Sequence, residues 1–142
     1  MAARAPSSSL LAHELRETLG RLIRRMRAEP GPPAPQLLVL GALDREGPAS
    51  ISDLAAAQRM RPQSMAQTVR ELETAGLVSR RADPADGRRA FIELTAAGVE
   101  KLAATRAARE DWLTGTLDAG LDAEERELLR RALVLLDRIA DA

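Results

Sequence analysis

The chain of 142 residues contains no cysteine. This absence excludes disulfide bonds, thiolate metal ligands and regulation by cysteine oxidation. There is one histidine, His13, and no cluster of acids with metal-ligand spacing accompanies it in the sequence. A metal site and catalysis by a Ser-His-Asp or Cys-His set are therefore not expected. The composition predicts a protein with neither a cofactor nor a metal.

Aromatic residues are also scarce, with only Phe91 and Trp112. Proteins that bind RNA or single-stranded DNA commonly stack bases on aromatic side chains, so the composition argues against both classes. A glycine-rich phosphate loop is missing as well. Asp83 and Asp86 resemble a carboxylate pair, but they lie in a turn-forming segment, where we expect them to shape the turn. A hydrolase is therefore a hypothesis that no pattern in the sequence supports.

Long apolar runs are absent too. No stretch of the sequence is long and apolar enough to cross a membrane, and the N-terminus lacks a signal-peptide core. We therefore expect a cytoplasmic protein without a membrane partner. Hydrophobic residues make up 45% of the chain, and its length suits one domain with a substantial core.

The formal net charge is zero, but the charged residues are unevenly distributed. Between Gln58 and Phe91 there are seven arginines and four acids, a local charge of +3 that the remainder of the chain compensates. Basic residues grouped at one site are the expected electrostatic footprint of phosphate binding. The charge distribution therefore points to a nucleic acid as the partner of this segment.

The first half of the segment from Ala49 to Thr95 has the pattern of two short helices joined by a turn. The first helix is predicted to open at Ser50, with Asp53 completing a weak capping box. After a turn over residues 58–61, Pro62 suits the first position of a second helix that runs to about Ala75. Three apolar residues are spaced to face inward from this helix, namely Met65, Val69 and Leu72.

The second half of the segment has the pattern of a β-hairpin. Gly76 is placed to end the second helix, and a short basic strand follows it. The run from Asp83 to Gly87 is rich in turn formers, and apolar and polar residues alternate from Ala90 to Leu94. Two helices followed by a basic hairpin form a winged helix-turn-helix, in which the second helix enters the DNA major groove. The predicted fold class is mainly α with a small β-wing (α+β).

The hairpin also carries a family signature. Asp86, Arg88, Ile92, Leu94 and Thr95 form the run D-x-R-x-x-x-I-x-L-T, which resembles the wing signature of the MarR family of transcription regulators. The preceding run L-E-x-x-G-L-V over residues 72–78 is similar to that family's junction between helix and wing. The resemblance covers nearly the whole chain, because long helices flank the motif as they do in the family. It implies a DNA-binding regulator and not an enzyme.

Helices are predicted on both sides of the motif. The first runs from about Leu10 to Ala28, with its apolar stripe at Leu11, Leu15, Leu19, Leu22, Ile23 and Met26. A proline-rich break over 29–35 separates it from a helix that begins near Pro35 and ends at 46–48, and we expect this second helix to be largely buried. After the motif, Thr95 caps a helix that reaches about Leu117, and Asp122 caps the last helix.

The last helix has an apolar face wider than a single exposed helix needs, formed by Leu128, Leu129, Ala132, Leu133, Leu135, Leu136 and Ile139. This face packs either in a large core or on a second copy of the chain. The resemblance favours the second, because members of the family form dimers through their first and last helices. We therefore expect a single domain over 1–142, with 10–34 and 96–142 forming the dimer and 35–95 forming the winged helix-turn-helix.

The outer face of the second motif helix is predicted to contact DNA, through Gln63, Ser64, Gln67, Thr68 and Arg70. Glutamine can pair bidentately with adenine, and arginine can pair with guanine or bind a phosphate. Arg61 stands at the cap position, where the family often has serine or threonine, and we expect it to approach a phosphate at the N-terminus of this helix. The alternative is that these residues are ordinary solvent-facing polar side chains.

The wing is predicted to contribute four more arginines to the interface, Arg80, Arg81, Arg88 and Arg89. The resemblance implies that Arg88 reaches the minor groove, where a narrow A·T-rich stretch has a strong negative potential. We expect Asp86 to orient Arg88 by a charge-assisted hydrogen bond, although a weak surface ion pair is the alternative. Arg80 and Arg81 are expected to contact phosphates, or else to be plain surface charge.

Two hypotheses of function follow. The first is a dimeric repressor that binds an inverted-repeat operator in double-stranded DNA, with half-sites about one helical turn apart. A small aromatic or anionic effector would release it by shifting the distance between the two reading helices, and the sequence does not identify the effector-binding residues. The alternative is a winged-helix module that binds an acidic protein partner without specific DNA binding.

Overall fold

Prolines, glycines and hydrogen-bonding caps set the limits of the secondary structure. The computed structural model describes residues 4–142, so the first three residues of the expected domain lie outside it. Its elements are, in chain order, α1 (Ser8–Arg27), α2 (Ala34–Glu46), α3 (Ile51–Ala57), α4 (Pro62–Thr74), β1 (Val78–Ala82), β2 (Ala90–Leu94), α5 (Ala96–Gly120) and α6 (Ala123–Ala140). This is the mainly α fold with a β-wing that the sequence predicts.

The predicted helix caps are confirmed by their hydrogen bonds. The side chains of Ser50, Thr95 and Asp122 each accept a hydrogen bond from the backbone N–H three residues further on, at 3.1, 3.1 and 2.8 Å. The capping box is complete only at α6, where Glu125 accepts from the N–H of Asp122 at 2.9 Å. The box predicted at the start of α3 is only half formed, because the carboxylate of Asp53 binds elsewhere.

The end of α5 differs from the prediction. The helix continues through Gly115 to Gly120 instead of stopping near Leu117. A glycine inside a helix costs only about 1 kcal/mol relative to alanine, which the rest of a long helix can offset.

By contrast, Gly76 does end α4. It has a φ of +74°, and the N–H groups of Gly76 and Leu77 bond to Glu73 and Leu72, which forms a Schellman motif.

The two strands form an antiparallel wing whose register runs from Val78 opposite Leu94 to Ala82 opposite Ala90. A third segment, which sequence reasoning missed, joins this sheet. The N–H of Ala49 donates to the carbonyl of Ile92 at 3.1 Å, and the N–H of Ile92 donates back at 2.7 Å. This one-residue bridge attaches the base of the wing to the start of α3.

The hydrophobic core lies within the winged motif. It contains Val39, Leu40, Ala42, Leu43, Leu54, Ala55, Met65, Val69, Leu72, Val78, Ile92 and Leu102. The three residues predicted to face inward from α4 are all fully buried. The prediction that α2 is largely buried holds for residues 39–43, but Leu38 is 53% exposed because it faces a cleft beside α5.

The helices α1 and α6, which both lie entirely in the described part of the chain, contain no buried residue. Their apolar side chains face outward, with Leu11 52%, Leu128 65% and Ile139 62% exposed. Within residues 4–142, every helix is too short or too polar to span a lipid bilayer.

The first turn of α5 packs closely on the connection between α4 and β1. The hydroxyl of Thr95 donates to the carbonyl of Gly76 at 2.6 Å, and the N–H of Thr95 donates to the carbonyl of Leu77 at 3.1 Å. One turn later Gly98 is buried directly against the same Leu77 carbonyl. This contact fixes the direction in which α5 leaves the wing.

We predict that Gly98→Ala destabilises the protein by about 3 kcal/mol, because the added methyl group overlaps the Leu77 carbonyl and overpacking of this kind strains the backbone. Chemical denaturation at fixed protein concentration measures the change. Gly115→Ala is the matched control in the same helix, since nothing lies within 4 Å of the added carbon. It is expected to raise stability by about 0.5–1 kcal/mol. Equal effects of the two substitutions would contradict the prediction.

Candidate nucleic-acid interface

The helix α4 presents a polar outer face at the surface. Gln63, Ser64, Gln67 and Arg70 are exposed there, as the sequence predicts. The predicted outward position of Thr68 is wrong. This residue is 7% exposed, and its hydroxyl donates to the carbonyl of Ser64 at 3.1 Å, because its place on the helix lies at the edge of the buried face beside Val69. Thr68 therefore belongs to the packing of α4 and not to its outer face.

The N-terminus of α4 lies open to solvent. Arg61 occupies the cap position, and within residues 4–142 no side chain caps this helix end. The N–H groups in the first turn of a helix lack partners inside the helix, and the helix dipole adds a positive partial charge there. An exposed arginine beside such a helix end favours an anion such as a DNA phosphate.

The turn that leads into this helix end contains an unusual backbone conformation. Arg59 has a φ of +51°, in the left-handed region that side chains other than glycine seldom adopt. The sequence offers no signal for it, because glycine or asparagine normally marks such a position. The left-handed residue allows the chain to reverse between α3 and α4 within a few residues.

A chain of hydrogen bonds orients two of the candidate base-reading residues. Arg70 Nη2 donates to Gln67 Oε1 at 2.8 Å, and Gln67 Nε2 donates to Glu71 Oε1 at 3.2 Å. The other oxygen of Glu71 accepts from Gln36 Nε2 on α2 at 3.1 Å. The reading face of α4 is thus linked by side chains to α2. Sequence reasoning missed Gln36 and Glu71 because the bond between them joins residues 35 positions apart.

The two arginines of β1 form ion pairs within the chain. Arg80 Nε lies 2.8 Å from Glu73 Oε1, and Arg81 Nε lies 3.4 Å from Glu93 Oε2. The guanidinium of Arg81 also lies over the ring of Phe91, 5.6 Å from its centre. Both arginines are more than 40% exposed, so their ion pairs are weak and a stronger anion can replace the carboxylates.

The turn of the wing is shaped by two aspartates. Asp83 Oδ1 accepts from the N–H of Ala85 at 2.8 Å, and Asp86 Oδ1 accepts from the N–H of Arg88 at 3.0 Å. Asp86 was expected to orient the guanidinium of Arg88, but it binds the backbone of that residue, because a side chain this short reaches the amide two residues on. Its role is therefore to form the turn that presents Arg88.

The two arginines at the tip of the wing differ in their surroundings. Arg88 is exposed, and in the described part of the chain no carboxylate lies within ion-pair distance of it. Arg89 Nη2 instead lies 2.6 Å from Asp53 Oδ2 and 3.0 Å from Ser50 Oγ. Arg89 is exposed as well, but its side chain contacts the start of α3, which the sequence does not predict, and its contact with DNA stays a prediction.

The wing and the start of α3 form one connected surface. The wing is joined to the start of α3 by Arg89 and by the Ala49–Ile92 bridge, and α4 follows α3 after the short turn. Ser50, Ser52, Arg80, Arg88 and Arg89 all line one shallow depression between α3 and the wing. Three of the predicted arginines have no carboxylate within ion-pair distance among the described residues, namely Arg61 and Arg70 at α4 and Arg88 on the wing.

A separate cleft lies between α1, α2 and α5, with a volume of about 190 Å³. Its walls combine apolar side chains with four arginines, Arg27, Arg45, Arg106 and Arg109. Arg106 is paired with Asp44 at 3.0 Å. The Nε atom of Arg109 is buried, and within residues 4–142 it has no hydrogen-bond partner. Sequence reasoning missed this cleft because its arginines come from three helices and share no spacing.

Comparison with known proteins identifies relatives over nearly the whole chain. A family model described as the MarR family matches residues 31–89. An HTH-type transcriptional regulator of Mycobacterium tuberculosis is 36% identical over 138 residues, which cover 95% of this chain and 96% of that protein.

Solved structures share the fold. The crystal structure of a transcriptional regulator from Pseudomonas aeruginosa is 43% identical and covers 96% of this chain and 99% of its own, with a TM-score of 0.86. BpsR of Bordetella bronchiseptica, whose DNA binding is regulated by 6-hydroxynicotinic acid, is 26% identical and covers 94% of this chain and 99% of its own, with a TM-score of 0.65.

Proposed function

The chain belongs to the MarR family of transcription regulators, and from that premise we propose that it is a dimeric repressor of an inverted-repeat operator, released by a small anionic effector. The observation that supports the proposal is the exposed outer face of α4 with Arg61 and Arg70, together with the exposed Arg88 of the wing, all three without carboxylate partners in the described chain. The proposed function places the protein where the cell holds its DNA, which is the cytoplasm in a bacterium.

In the proposed complex, α4 enters the major groove and presents Gln63, Ser64, Gln67 and Arg70 to base edges and phosphates. Arg61 and the open N-terminus of α4 bind a phosphate. The turn of the wing carries Arg88 into the flanking minor groove. Arg80 and Arg81 exchange Glu73 and Glu93 for backbone phosphates, since charge-assisted bonds to phosphate are strong and their present ion pairs are exposed.

A salt titration tests DNA binding. The probe is a duplex selected from a random-sequence library by the purified protein, and fluorescence anisotropy measures its Kd at several salt concentrations. We expect log Kd to rise steeply and linearly with log salt, because each neutralised phosphate contributes about 0.9 to the slope. Arg88→Ala should reduce the slope by about 2 in a dimer, which loses two charges.

Arg138→Ala, an exposed arginine on α6, is the matched control and should leave the slope unchanged. A shallow slope for the wild type, with no effect of Arg88→Ala, would instead favour the alternative of a protein-binding winged-helix module. Failure to select any duplex sequence would point the same way.

The proposed dimer explains the exposed apolar faces of α1 and α6. Burying apolar surface stabilises by about 25 cal/mol per Å², and contiguous exposed apolar faces on a soluble protein commonly mark interfaces. On α6, Leu128, Ala132 and Leu135 line one groove along the helix, so a partner helix can pack into it. A second copy supplies such a helix, and it also supplies the second α4 that an inverted repeat requires.

We predict that light scattering coupled to size exclusion gives about twice the chain mass of 15.3 kDa at micromolar concentration. Leu135→Glu should shift the mass toward the monomer, because it places a charge in the interface. Val99→Glu is the control, since Val99 is equally exposed, at 52%, but lies on α5 outside the apolar faces of α1 and α6. A monomeric wild type, or a dimer indifferent to Leu135→Glu, would overturn the proposed assembly.

The cleft between α1, α2 and α5 is the proposed effector site. Leu37, Leu38 and Leu102 supply an apolar wall for a ring or an alkyl group, and the arginines around it favour a carboxylate. The buried Nε–H of Arg109 needs an acceptor, which an anionic ligand provides. The acid that regulates BpsR is a small aromatic acid of this chemical class.

We expect 6-hydroxynicotinate or benzoate at millimolar concentration to raise the melting temperature by several degrees, because a ligand at 100 times its Kd adds about 2.7 kcal/mol. Ligand binding should also change the fluorescence of Trp112, which lies three residues from Arg109 on α5. Arg109→Met should abolish both responses. Arg21→Met, on α1 outside the cleft, should keep them. Responses that persist in Arg109→Met would place the ligand elsewhere.

A further inference from the structure

The guanidinium of Arg89 is held by two acceptors at the start of α3. Its Nη2 donates to Asp53 Oδ2 at 2.6 Å and to Ser50 Oγ at 3.0 Å. Ser50 is 4% exposed, and the same oxygen caps α3 by accepting from the N–H of Asp53 at 3.1 Å. Arg89 is thereby bound to the cap residue of α3, 39 positions earlier in the chain, and to Asp53, 36 positions earlier.

The rest of the wing turn has little else to fix its direction. Residues 84–89 are all exposed, so no buried side chain anchors the turn to the body. The backbone bridge between Ala49 and Ile92 holds the base of the wing, three residues inward from Arg89. The ion pair between Arg80 and Glu73 joins the wing to α4 at the same level, since Arg80 lies opposite Ile92. The contact of Arg89 with Asp53 and Ser50 is therefore a further link, placed further out along the wing than these two.

We propose that Arg89 is a positioning residue that fixes the angle between the wing and α3, and with it the distance from Arg88 to the reading face of α4. Arg89 keeps its contacts with Asp53 and Ser50 when DNA binds, and it does not bind a phosphate. This inference rests on the proposed DNA-binding function. It separates the roles of two adjacent arginines, of which only Arg88 contacts the nucleic acid.

The charges at this site support that division. If Arg89 moved to a phosphate, the exposed carboxylate of Asp53 would lose its cation and would repel a DNA backbone bound beside the wing. With Arg89 in place, Asp53 is neutralised and Ser50 keeps the arginine in one orientation. The lengths of the two side chains also suit the gap between the elements. The long side chain of Arg89 spans from the wing to the short side chain of Asp53 on the first turn of α3.

The test compares Asp53→Asn, Arg89→Ala, the double variant and Arg88→Ala by DNA affinity and salt slope, with the selected duplex described above. Removing the acid should strengthen DNA binding on charge alone. We expect Asp53→Asn instead to weaken binding by about fivefold to twentyfold, as Arg89→Ala does, with the slope unchanged in both. The double variant should bind DNA no more weakly than the single variant with the lower affinity, because each substitution removes the same contact between Arg89 and Asp53. Arg88→Ala should lower the slope.

A measurement on the free protein separates this inference from the proposed function. The N–H of Asp83 bonds to the carbonyl of Arg89, and the N–H of Arg89 bonds to the carbonyl of Asp86, both at 3.0 Å. Hydrogen exchange at these amides should be at least fivefold faster in Arg89→Ala and Asp53→Asn, and unchanged in Arg88→Ala. Unchanged exchange in both variants, a slope reduced by Arg89→Ala, or tighter DNA binding by Asp53→Asn would each overturn the proposal. A wild type that binds no duplex but shows the expected exchange would overturn only the proposed function.

Discussion

The uneven placement of the hydrophobic core is the constraint on which the rest of this structure depends. Twelve buried apolar side chains lie in α2–α5 and the wing, whereas the long helices α1 and α6 bury none within the described chain. The winged motif is therefore a closed unit that can keep a fixed shape, because close-packed interiors resist deformation. The apolar faces of α1 and α6 stay exposed in a single chain. In the proposed dimer, the same two faces of a second copy would cover them.

The arginines of the described chain differ in whether they have a carboxylate partner. On the described helices away from the motif, several arginines have carboxylate partners, such as Arg25 with Glu29 at 2.9 Å and Arg126 with Asp118 at 2.9 Å. Within the motif, Arg80, Arg81 and Arg89 are also paired, but Arg61, Arg70 and Arg88 have no carboxylate partner among residues 4–142. A net charge of zero thus conceals a surface suited to a polyanion, because the compensating acids lie elsewhere.

Sequence reasoning recovered the features that depend on local chemistry. The caps at Ser50, Thr95 and Asp122, the turn at Gly76 and the inward face of α4 follow from residues within one or two helical turns, and the structure has all of them. It failed where a side chain had partners far away in the sequence. Nothing near Arg89 in the sequence predicts its contact with Asp53, and the cleft arginines come from three helices. Thr68 was misplaced because helical spacing leaves a residue at the edge of the buried face ambiguous, and tertiary packing decides it.

The helix α2 connects the two proposed binding sites, because one short helix takes part in three sets of contacts. Val39 and Leu40 are fully buried in the core against α4, while Leu37, Leu38 and Arg45 line the cleft. Gln36, at the start of the same helix, bonds to Glu71 and through it to Gln67 and Arg70 on the reading face. In the proposed mechanism, an anion in the cleft would draw its arginines together and shift α2, and the packed core would pass that shift to α4. Such coupling would be reciprocal, so bound DNA would weaken the binding of the proposed effector by the same factor by which the effector weakens DNA binding.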